Sequence, residues 1–301
     1  MKCFLANPDH IKSCNRARLR ITTALSRMSA QQEQIFAKCA NSCKRVLENR
    51  PSDTKGAYSN IAFLVGAGAS TSAGIPDFRS KGGLYECYGH DLFYKQTLEL
   101  DPEKIYGFCR EYFGQQYSPT QAHHIFAALQ AAGRLGTIVT QNIDGLSEKA
   151  GVDANRVKCL HGSLAHFSCS SPLCSGSVTA EEFAELAETR EKTPTCYMCQ
   201  SALLRPDIVL FGEALDQSVL QQSRAALAQC DLFVCVGTSL QVNPAALLPL
   251  ENVRRGVPRI WINRDAPPPN YADFFDVCIL DDCDDALSFL FPFTDQHSES
   301  D

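Results

Sequence analysis

Short apolar runs recur along the chain, and each is followed by polar or glycine-rich residues. The first clear run, SNIAFLV at residues 59–65, leads directly into a glycine-rich loop. An uninterrupted apolar run of this length is typical of a strand that is buried on both faces of a parallel sheet. The pattern predicts further strands at residues 136–140, 207–211, 231–237 and 258–263.

Amphipathic stretches separate most of these runs and predict helices at residues 34–47, 123–132 and 218–228. Alternation of buried strands with helices predicts an α/β fold with a doubly wound, Rossmann-like parallel sheet. Residues 84–117, largely helical by pattern, and residues 169–199, with paired cysteines, interrupt the alternation. They predict a smaller inserted domain with a helical and a zinc-binding part.

The predicted domain boundaries follow from these interruptions. They are an N-terminal extension at residues 1–32, a Rossmann-like domain at residues 33–84, 118–165 and 203–292, a helical insertion at residues 85–117, a cysteine module at residues 166–202, and an acidic tail at residues 293–301.

Composition narrows the class of protein. The 301 residues are 45% hydrophobic and 21% charged, as in an ordinary globular enzyme. A net charge of −6 gives no electrostatic reason to expect direct nucleic-acid binding. No apolar run approaches the ~20 residues needed to cross a bilayer, so we expect a soluble protein.

The first 30 residues contain six basic side chains and one acid. This composition is similar to that of a mitochondrial transit peptide, but it also fits a solvated tail or an extension upstream of a start at Met28. We therefore expect a cytoplasmic or nuclear protein, with a mitochondrial location as the alternative.

The loop GAGASTSAGIPDFRS at residues 66–80 nearly matches the glycine fingerprint of dinucleotide-binding domains. Gly66 and Gly68 have the required spacing, but Thr71 occupies the position of the third glycine, and the next glycine is Gly74. Backbone N–H groups in such a loop, at the start of a helix, can bind a pyrophosphate, although a tight structural turn would explain the same glycines. The missing third glycine and the lack of a ribose-binding acid after a second strand disfavour an ordinary dehydrogenase.

Fifteen cysteines occur in the chain, and most lie singly in apolar segments, where reduced thiols pack as small hydrophobic groups. Two close pairs, Cys169-x4-Cys174 and Cys196-x2-Cys199, are separated by 21 residues. Thiolates at such spacing can close a tetrahedral zinc site, and an all-cysteine site is normally structural. Two disulfides or four unligated thiols are the alternatives.

Polar residues follow other strand ends. Asn142 and Asp144 lie in TQNIDGL at residues 140–146, where they would bind ribose hydroxyls or form an Asx turn. His161 precedes a glycine and is either a general base or, as is commoner for a lone histidine, a structural residue. Residues 237–246 indicate another phosphate- or ribose-binding turn.

In their order along the chain, these motifs resemble the sirtuin family of NAD-dependent protein deacylases. The motifs are the loop at residues 66–80, TQNIDGL, HGS, the two cysteine pairs, RPDIVLFGE, GTSL and IN, and the resemblance covers residues 34–290. The sequence departs from the usual pattern at Val65, Ala69, Ser147 and Cys159. None of these departures removes a chemical group that the reaction needs.

The resemblance implies a reaction and a set of site residues. In sirtuins an acyl-lysine carbonyl oxygen attacks the NAD ribose carbon that bears nicotinamide, and the products are lysine, nicotinamide and O-acyl-ADP-ribose. The implied catalytic residues are His161 as general base, Asn142 and Asp144. The implied NAD contacts are Gly66, Ala67, Gly68, Ser70, Ala73, Gly74, Ile75, Pro76, Asp77, Phe78, Arg79, Tyr85, Gln141, Asn142, Ile143, Asp144, Gly237, Thr238, Ser239, Asn263, Arg264, Asp265 and Cys283. The implied peptide contacts are Leu210, Phe211, Gly212, Glu213 and Val242.

The implied partners are acyl-lysine proteins or peptides, with no nucleic acid and no membrane, and we expect a monomer with one structural zinc ion. Transfer of ADP-ribose to a protein uses the same cofactor and is the main alternative. A non-catalytic NAD- or zinc-binding protein is a third hypothesis. His161 favours deacylation, because activation of the ribose hydroxyls needs a base.

Sirtuins that prefer succinyl- or malonyl-lysine carry a Tyr-x-x-Arg pair on a helix of the small domain. Alignment through residues 101–103 places Cys109 and Tyr112 at the two positions, with Arg110 next to the first. One residue turns a helical side chain by ~100°, so Arg110 is expected to point elsewhere. The sequence therefore predicts removal of acetyl or longer apolar acyl groups over succinyl.

Overall fold

The computed structural model describes residues 58–189 and 194–291. The helix predicted at residues 34–47, the N-terminal extension and the acidic tail lie outside these ranges. None of the described helices is both long and apolar enough to cross a membrane.

Six parallel strands form the central sheet, in the spatial order β3-β2-β1-β7-β8-β9. From β1 the chain winds outward through β2 and β3 on one side and, later, through β7, β8 and β9 on the other. This is the doubly wound topology predicted from the alternating pattern, and its switch point lies between β1 and β7. The strands are β1 Ile61–Val65, β2 Leu135–Thr140, β3 Val157–Cys159, β7 Leu232–Val236, β8 Arg259–Ile262 and β9 Val277–Ile279.

Strand β1 is buried along its whole length because helices cover both faces of the sheet. Successive side chains alternate between the faces, so Phe63 packs on one side, with its ring 4.7 Å from that of Phe126, and Leu64 on the other. Helices α4 and α9 cover the first face, and α7 and α8 cover the second. The helices are α1 Leu84–Tyr88, α2 Lys95–Leu100, α3 Pro102–Gly114, α4 Gln121–Ala131, α5 Leu146–Lys149, α6 Ala180–Thr189, α7 Gln217–Gln229, α8 Leu248–Asn252 and α9 Cys283–Leu290.

A second, smaller sheet has three antiparallel strands in the order β5-β4-β6, namely β4 Gly162–Cys169, β5 Ser177–Thr179 and β6 Leu204–Ile208. Helices α1, α2, α3 and α6 share its core, in which the rings of Phe167 and Phe183 stack 3.7 Å apart. The Tyr106 hydroxyl donates to the Leu204 carbonyl at 2.6 Å and joins α3 to β6.

The strand predicted at residues 207–211 is wrong in both limits and placement. Strand β6 ends at Ile208 and pairs with β4 in the small sheet rather than in the central one. An apolar run reports burial but not which sheet buries it. Helices α4 and α7 match their predicted segments within two residues. Residues 84–117 are largely helical, as predicted, and form three helices. The domain boundaries as such stay predictions.

Candidate cofactor and substrate site

One cavity of about 1290 Å³ opens at the carboxyl ends of β1, β2 and β7, beside the switch point of the sheet. Every residue that the sequence predicted to bind cofactor or peptide or to act in catalysis lines this cavity. These residues are dispersed between positions 66 and 283 and are brought together by the winding of the sheet. Their individual roles stay predictions.

The cofactor loop, residues 66–79, packs its backbone directly against the turn after β7. The Gly68 N–H donates to the Gly237 carbonyl at 2.9 Å, and a Cβ atom on Gly68 would lie 2.8 Å from the Gly237 Cα. Gly237 itself has a φ of +62°, and a Cβ there would lie 2.5 Å from the Ala69 nitrogen. Only glycines permit this approach.

The cofactor loop does not open into an α-helix as expected. It forms two short 3-10 turns, Ala67–Ala69 and Thr71–Ala73, and then reverses at Gly74, where φ is +92°. Phosphate binding here would therefore depend on the backbone N–H groups of tight turns rather than on the end of a long helix.

Asn142 and Asp144 hold the cofactor loop from the end of β2. The Ser70 hydroxyl donates to the Asp144 carboxylate at 2.7 Å, and the Asn142 side-chain amide lies 3.1 Å from the Gly66 carbonyl and 3.2 Å from the Ser70 hydroxyl. Asp144 also accepts from the Leu146 N–H at 2.9 Å, which is the predicted Asx turn. The structural and the ligand-binding interpretations of these residues are therefore compatible.

His161 lies between β3 and β4 and faces the cavity. Its Nδ1 is 3.0 Å from the Gln141 carbonyl, and since a carbonyl only accepts, Nδ1 carries the proton in this arrangement. Burial lowers the pKa of His161, and the hydrogen bond to Gln141 opposes this only in part. The imidazole is therefore neutral at pH 7, with Nε2 free of a proton, as a general base requires.

Arg79 and Asp77 organise the far end of the cofactor loop. Burial alone would raise the pKa of Asp77, but hydrogen bonds from Ser80 and from the Arg79 N–H outweigh it and keep the pKa below its usual value. The Arg79 guanidinium donates to the Ser239 hydroxyl at 2.8 Å and lies 5.9 Å from the Tyr85 ring centre. Arg79 thus links the cofactor loop to the turn after β7.

Asn263 closes the opposite end of the site. Its side-chain amide donates to the Thr238 carbonyl at 2.8 Å, and its side-chain oxygen accepts from the Arg264 N–H at 2.8 Å. The Arg264 guanidinium pairs with Asp282, 3.3 Å away, at the start of helix α9.

The segment predicted to bind peptide, residues 210–213, is fixed by the small domain. Phe211 donates its N–H to Phe93 at 2.7 Å and accepts from the Lys95 N–H at 3.0 Å, so both of its backbone polar groups are engaged within the chain. Glu213 forms a double hydrogen bond with Arg205, at 2.7 and 2.8 Å. The Glu213 N–H likewise donates to the Leu210 carbonyl at 2.9 Å, so part of the expected backbone edge is already engaged within the chain, and peptide binding at these residues stays a prediction.

Residues 84–117 supply cavity residues that were absent from the predicted site. These are mainly aromatic: Tyr88, Phe93, Phe108, Tyr112 and Tyr117, together with Glu111. Dense aromatic spacing in residues 84–117 was the only signal for them. Of the two acyl-specificity positions, Tyr112 lines the cavity, whereas Cys109 is fully buried and is not part of the cavity lining. Arg110 pairs with Glu103 and is also not part of the lining, which agrees with the prediction that it points elsewhere.

The four predicted metal ligands converge at the edge of the small sheet. The sulfur atoms of Cys169 and Cys199, and those of Cys174 and Cys196, are 3.7 Å apart, and all four lie within 4.8 Å of one another. A zinc–sulfur tetrahedron has edges of about 3.8 Å, whereas a disulfide bond is ~2.05 Å long. The cluster therefore fits a zinc ion and excludes the disulfide alternative.

Local structure favours thiolates at Cys196 and Cys199, whose pKa values are lowered by backbone N–H groups, whereas burial raises the pKa of Cys169. Backbone N–H groups of Ser201 and Ala202 lower the pKa of Cys199 to about 6. A Cβ atom on Gly176 would lie 2.4 Å from the Cys196 sulfur, so the loop needs glycine at this position to close around the cluster.

A doubly wound sheet, a dinucleotide-sized cavity at its switch point and a four-cysteine module together define the class of protein. The model of the Sir2 family matches residues 66–244, more than half of the chain. The chain belongs to the Sir2 family, which confirms the resemblance seen in its motifs.

Curated relatives carry the corresponding names. An NAD-dependent protein deacetylase of Listeria monocytogenes is 42% identical over 188 residues, covering 62% of this chain and 76% of that protein. An NAD-dependent protein deacylase 1 of Archaeoglobus fulgidus is 39% identical, covering 69% of this chain and 82% of that protein. The chain spans only 43% of the deacetylase sir2D of Dictyostelium discoideum and 38% of sir-2.1 of Caenorhabditis briggsae.

Solved structures agree in fold. A Sir2 homologue S24A mutant–ADP ribose complex superposes with a TM-score of 0.69 at 34% identity, covering 78% of this chain and 91% of that one. A Sir2–p53 peptide–NAD+ structure has a TM-score of 0.68 at 32% identity, covering 76% of this chain and 91% of that one.

Proposed function

We propose that this chain is an NAD-dependent protein-lysine deacylase that transfers the acyl group of lysine to ADP-ribose and releases nicotinamide. The proposal rests on one observation: a neutral, partly buried His161 shares one cavity with the cofactor loop and the predicted peptide segment. The names of relatives and the titles of Sir2 complexes with ADP-ribose, NAD+ and peptides support it.

The residues present fit NAD. The cavity is large enough for a dinucleotide, and its donors suit one: turn N–H groups for phosphates, and Asn142, Asp144 and Ser70 for ribose hydroxyls. When bound, NAD supplies the electrophilic ribose carbon and the acceptor for the acyl group. Phe78, in edge-to-face contact with Tyr85 and Phe93, would shield the reacting end from water.

His161 would accept a proton at Nε2 when a ribose hydroxyl attacks. Its hydrogen bond to Gln141 fixes the ring orientation and the tautomer, and the ring would carry a positive charge only transiently. The zinc cluster lies outside the cavity lining and has no open position, so it would act in structure and not in the reaction.

The substrate would be an acyl-lysine in an extended protein segment bound between residues 210–213 and the turn at Val242. Solved Sir2 structures include one with a deacetylated p53 peptide and one with a propionylated peptide. The net charge of −6 suits protein substrates rather than nucleic acid. We expect a monomer in the cytoplasm or nucleus, with the basic residues 1–30 favouring mitochondria as the alternative.

Mass spectrometry of an acetyl-lysine peptide incubated with the protein, with and without NAD, tests the proposal. We expect NAD-dependent loss of the acetyl group and formation of O-acetyl-ADP-ribose. A gain of ADP-ribose on the peptide or on the protein would instead identify a mono-ADP-ribosyltransferase. No change in the peptide while NAD still binds would identify a non-catalytic binding protein.

A further inference from the structure

The cofactor loop is held from behind by side chains that do not line the cavity. At the N-terminus of helix α4, the Thr120 hydroxyl donates to the Ala69 carbonyl at 3.0 Å. Both residues are almost fully buried, at 6% and 1% exposure, so this carbonyl has little access to water. A buried carbonyl needs a donor, and here the donor comes from a residue 51 positions away along the chain.

His123 fixes the Thr120 side chain. It is 1% exposed, and its Nδ1 lies 2.8 Å from the Thr120 hydroxyl and 3.2 Å from the Thr120 nitrogen. If Nδ1 is protonated it donates to the hydroxyl oxygen, and if it is unprotonated it accepts from the Thr120 N–H. With Nδ1 protonated, the hydroxyl hydrogen is free to point at the Ala69 carbonyl. With Nδ1 unprotonated, the hydroxyl hydrogen has two acceptors, Nδ1 at 2.8 Å and the Ala69 carbonyl at 3.0 Å.

Asp284, in the first turn of α9, steadies the same end of α4. Its carboxylate accepts from the Ala122 N–H at 2.7 Å and from the Ser72 hydroxyl at 2.6 Å. The first turn of α4 is thus tied to the cofactor loop and to the C-terminal helix. None of Thr120, His123 and Asp284 is part of the cavity wall.

We propose that Thr120 and His123 form a positioning pair for the cofactor. Ala69 precedes Ser70, whose hydroxyl bonds Asp144 at 2.7 Å and contacts Asn142 at 3.2 Å inside the cavity. When Thr120 holds the Ala69 carbonyl, it therefore also sets the position of Ser70 and of the turns that follow. The inference rests on the proposed function, since the ligand of this loop is taken to be NAD.

The test compares two buried threonines by calorimetric titration with NAD and by urea unfolding. Thr120→Val removes the hydroxyl with little change in shape, whereas Thr120→Ser keeps it. Thr137→Val is the matched control: Thr137 is 3% exposed and its hydroxyl donates to the Arg156 carbonyl at 3.1 Å, outside the cavity wall.

Both valine variants should unfold at lower urea concentration, but only Thr120→Val should weaken NAD binding, by ~tenfold, because only it frees a carbonyl of the cofactor loop. Thr120→Ser should bind NAD within ~2-fold of the parent chain. In steady-state assays the KM for NAD should rise in Thr120→Val while the KM for the acetyl peptide stays unchanged.

Equal NAD affinity in the two valine variants would overturn the positioning role. Failure of the parent chain to bind NAD would instead reject the proposed function. If Thr120→Val does not fold, the NAD affinity of His123→Gln provides the test, because glutamine can still accept a hydrogen bond from the Thr120 N–H but does not hold the Thr120 hydroxyl. Weaker NAD binding in His123→Gln, with stability at or above that of Thr137→Val, supports the inference, and unchanged binding rejects it.

Discussion

Strand β1, beneath the cofactor loop, buries all five of its residues, whereas the cysteine module leaves Leu173 97% exposed, Tyr197 60% exposed and Met198 55% exposed. The large domain derives its shape from apolar side chains packed on two faces of a sheet. The tip of the module turns its apolar side chains toward solvent and brings four sulfur atoms together instead.

The two regions therefore depend on different interactions for their stability. On the cofactor side, two backbone segments are in direct contact at Gly68 and Gly237. The hydrophobic core of the central sheet supports this contact. In the module, the sulfur atoms lie at the edge of the small-domain core, and the loops that carry them expose their own apolar side chains, so a metal must supply the missing stability of these loops. Damage to one region should therefore leave the other largely intact.

Metal removal should have the largest effect. Structural zinc sites contribute ~10 kcal/mol or more to folding, so chelation or Cys199→Ala should unfold the loops that carry the cysteines. Hydrogen exchange followed by mass spectrometry should show lost protection in β5 and around residues 169–176 and 194–203, with β1 and β7 unchanged. Cys230→Ala, a buried cysteine of the large domain, serves as control. Unaltered exchange in the module after complete zinc loss would refute the contrast between the two regions.

Loss of the proposed base should come next and should leave both regions folded. His161→Ala is expected to lower deacylation by at least ~10²-fold, because general-base catalysis contributes a factor of this size. NAD affinity by calorimetry should remain near normal. His124→Ala, which removes an exposed histidine of helix α4, is the control. Near-normal turnover in His161→Ala would remove this residue from the mechanism.

Crowding the backbone contact should damage only the cofactor side. Gly237→Ala places a Cβ atom 2.5 Å from the Ala69 nitrogen at a φ of +62°, so we expect a loss of ~2–4 kcal/mol in the free energy of unfolding together with weaker NAD binding. Gly256→Ala has a similar φ, +83°, but open space around the new atom, and should cost only ~1–2 kcal/mol with NAD binding unchanged. Equal effects of the two substitutions would mean that close packing is not what the glycine provides.

Acyl preference should show the smallest effect. The helical part of the small domain lines the cavity with aromatic side chains and Glu111, while Arg110 is paired with Glu103. Without a cationic partner for the acyl carboxylate, acetyl-lysine should be removed ~10-fold more efficiently than succinyl-lysine, or ~1.4 kcal/mol in kcat/KM. Acetyl, myristoyl and succinyl forms of one peptide provide the comparison, and faster removal of succinyl would contradict it.

Much of the fold and of the candidate site can be predicted from the sequence. The apolar runs locate four of the six strands of the central sheet, because burial on both faces leaves a continuous apolar stretch, whereas the three-residue edge strands β3 and β9 were not predicted. The spacing of Cys169, Cys174, Cys196 and Cys199 predicts a metal site, because a tetrahedral ion requires four thiolates that two tight loops can bring together. The residues assigned through the sirtuin resemblance all reach one cavity.

The partner strands and the supporting hydrogen bonds of the site follow only from the tertiary structure. No local pattern places residues 204–208 in the small sheet, because an apolar run does not identify its partner strand. The bond from Thr120 to Ala69 has no sequence signature either, since it joins residues 51 positions apart that meet only when helix α4 packs on the sheet. Periodicity records how much each residue is buried, whereas the partner of a buried polar group depends on which elements the whole fold brings into contact.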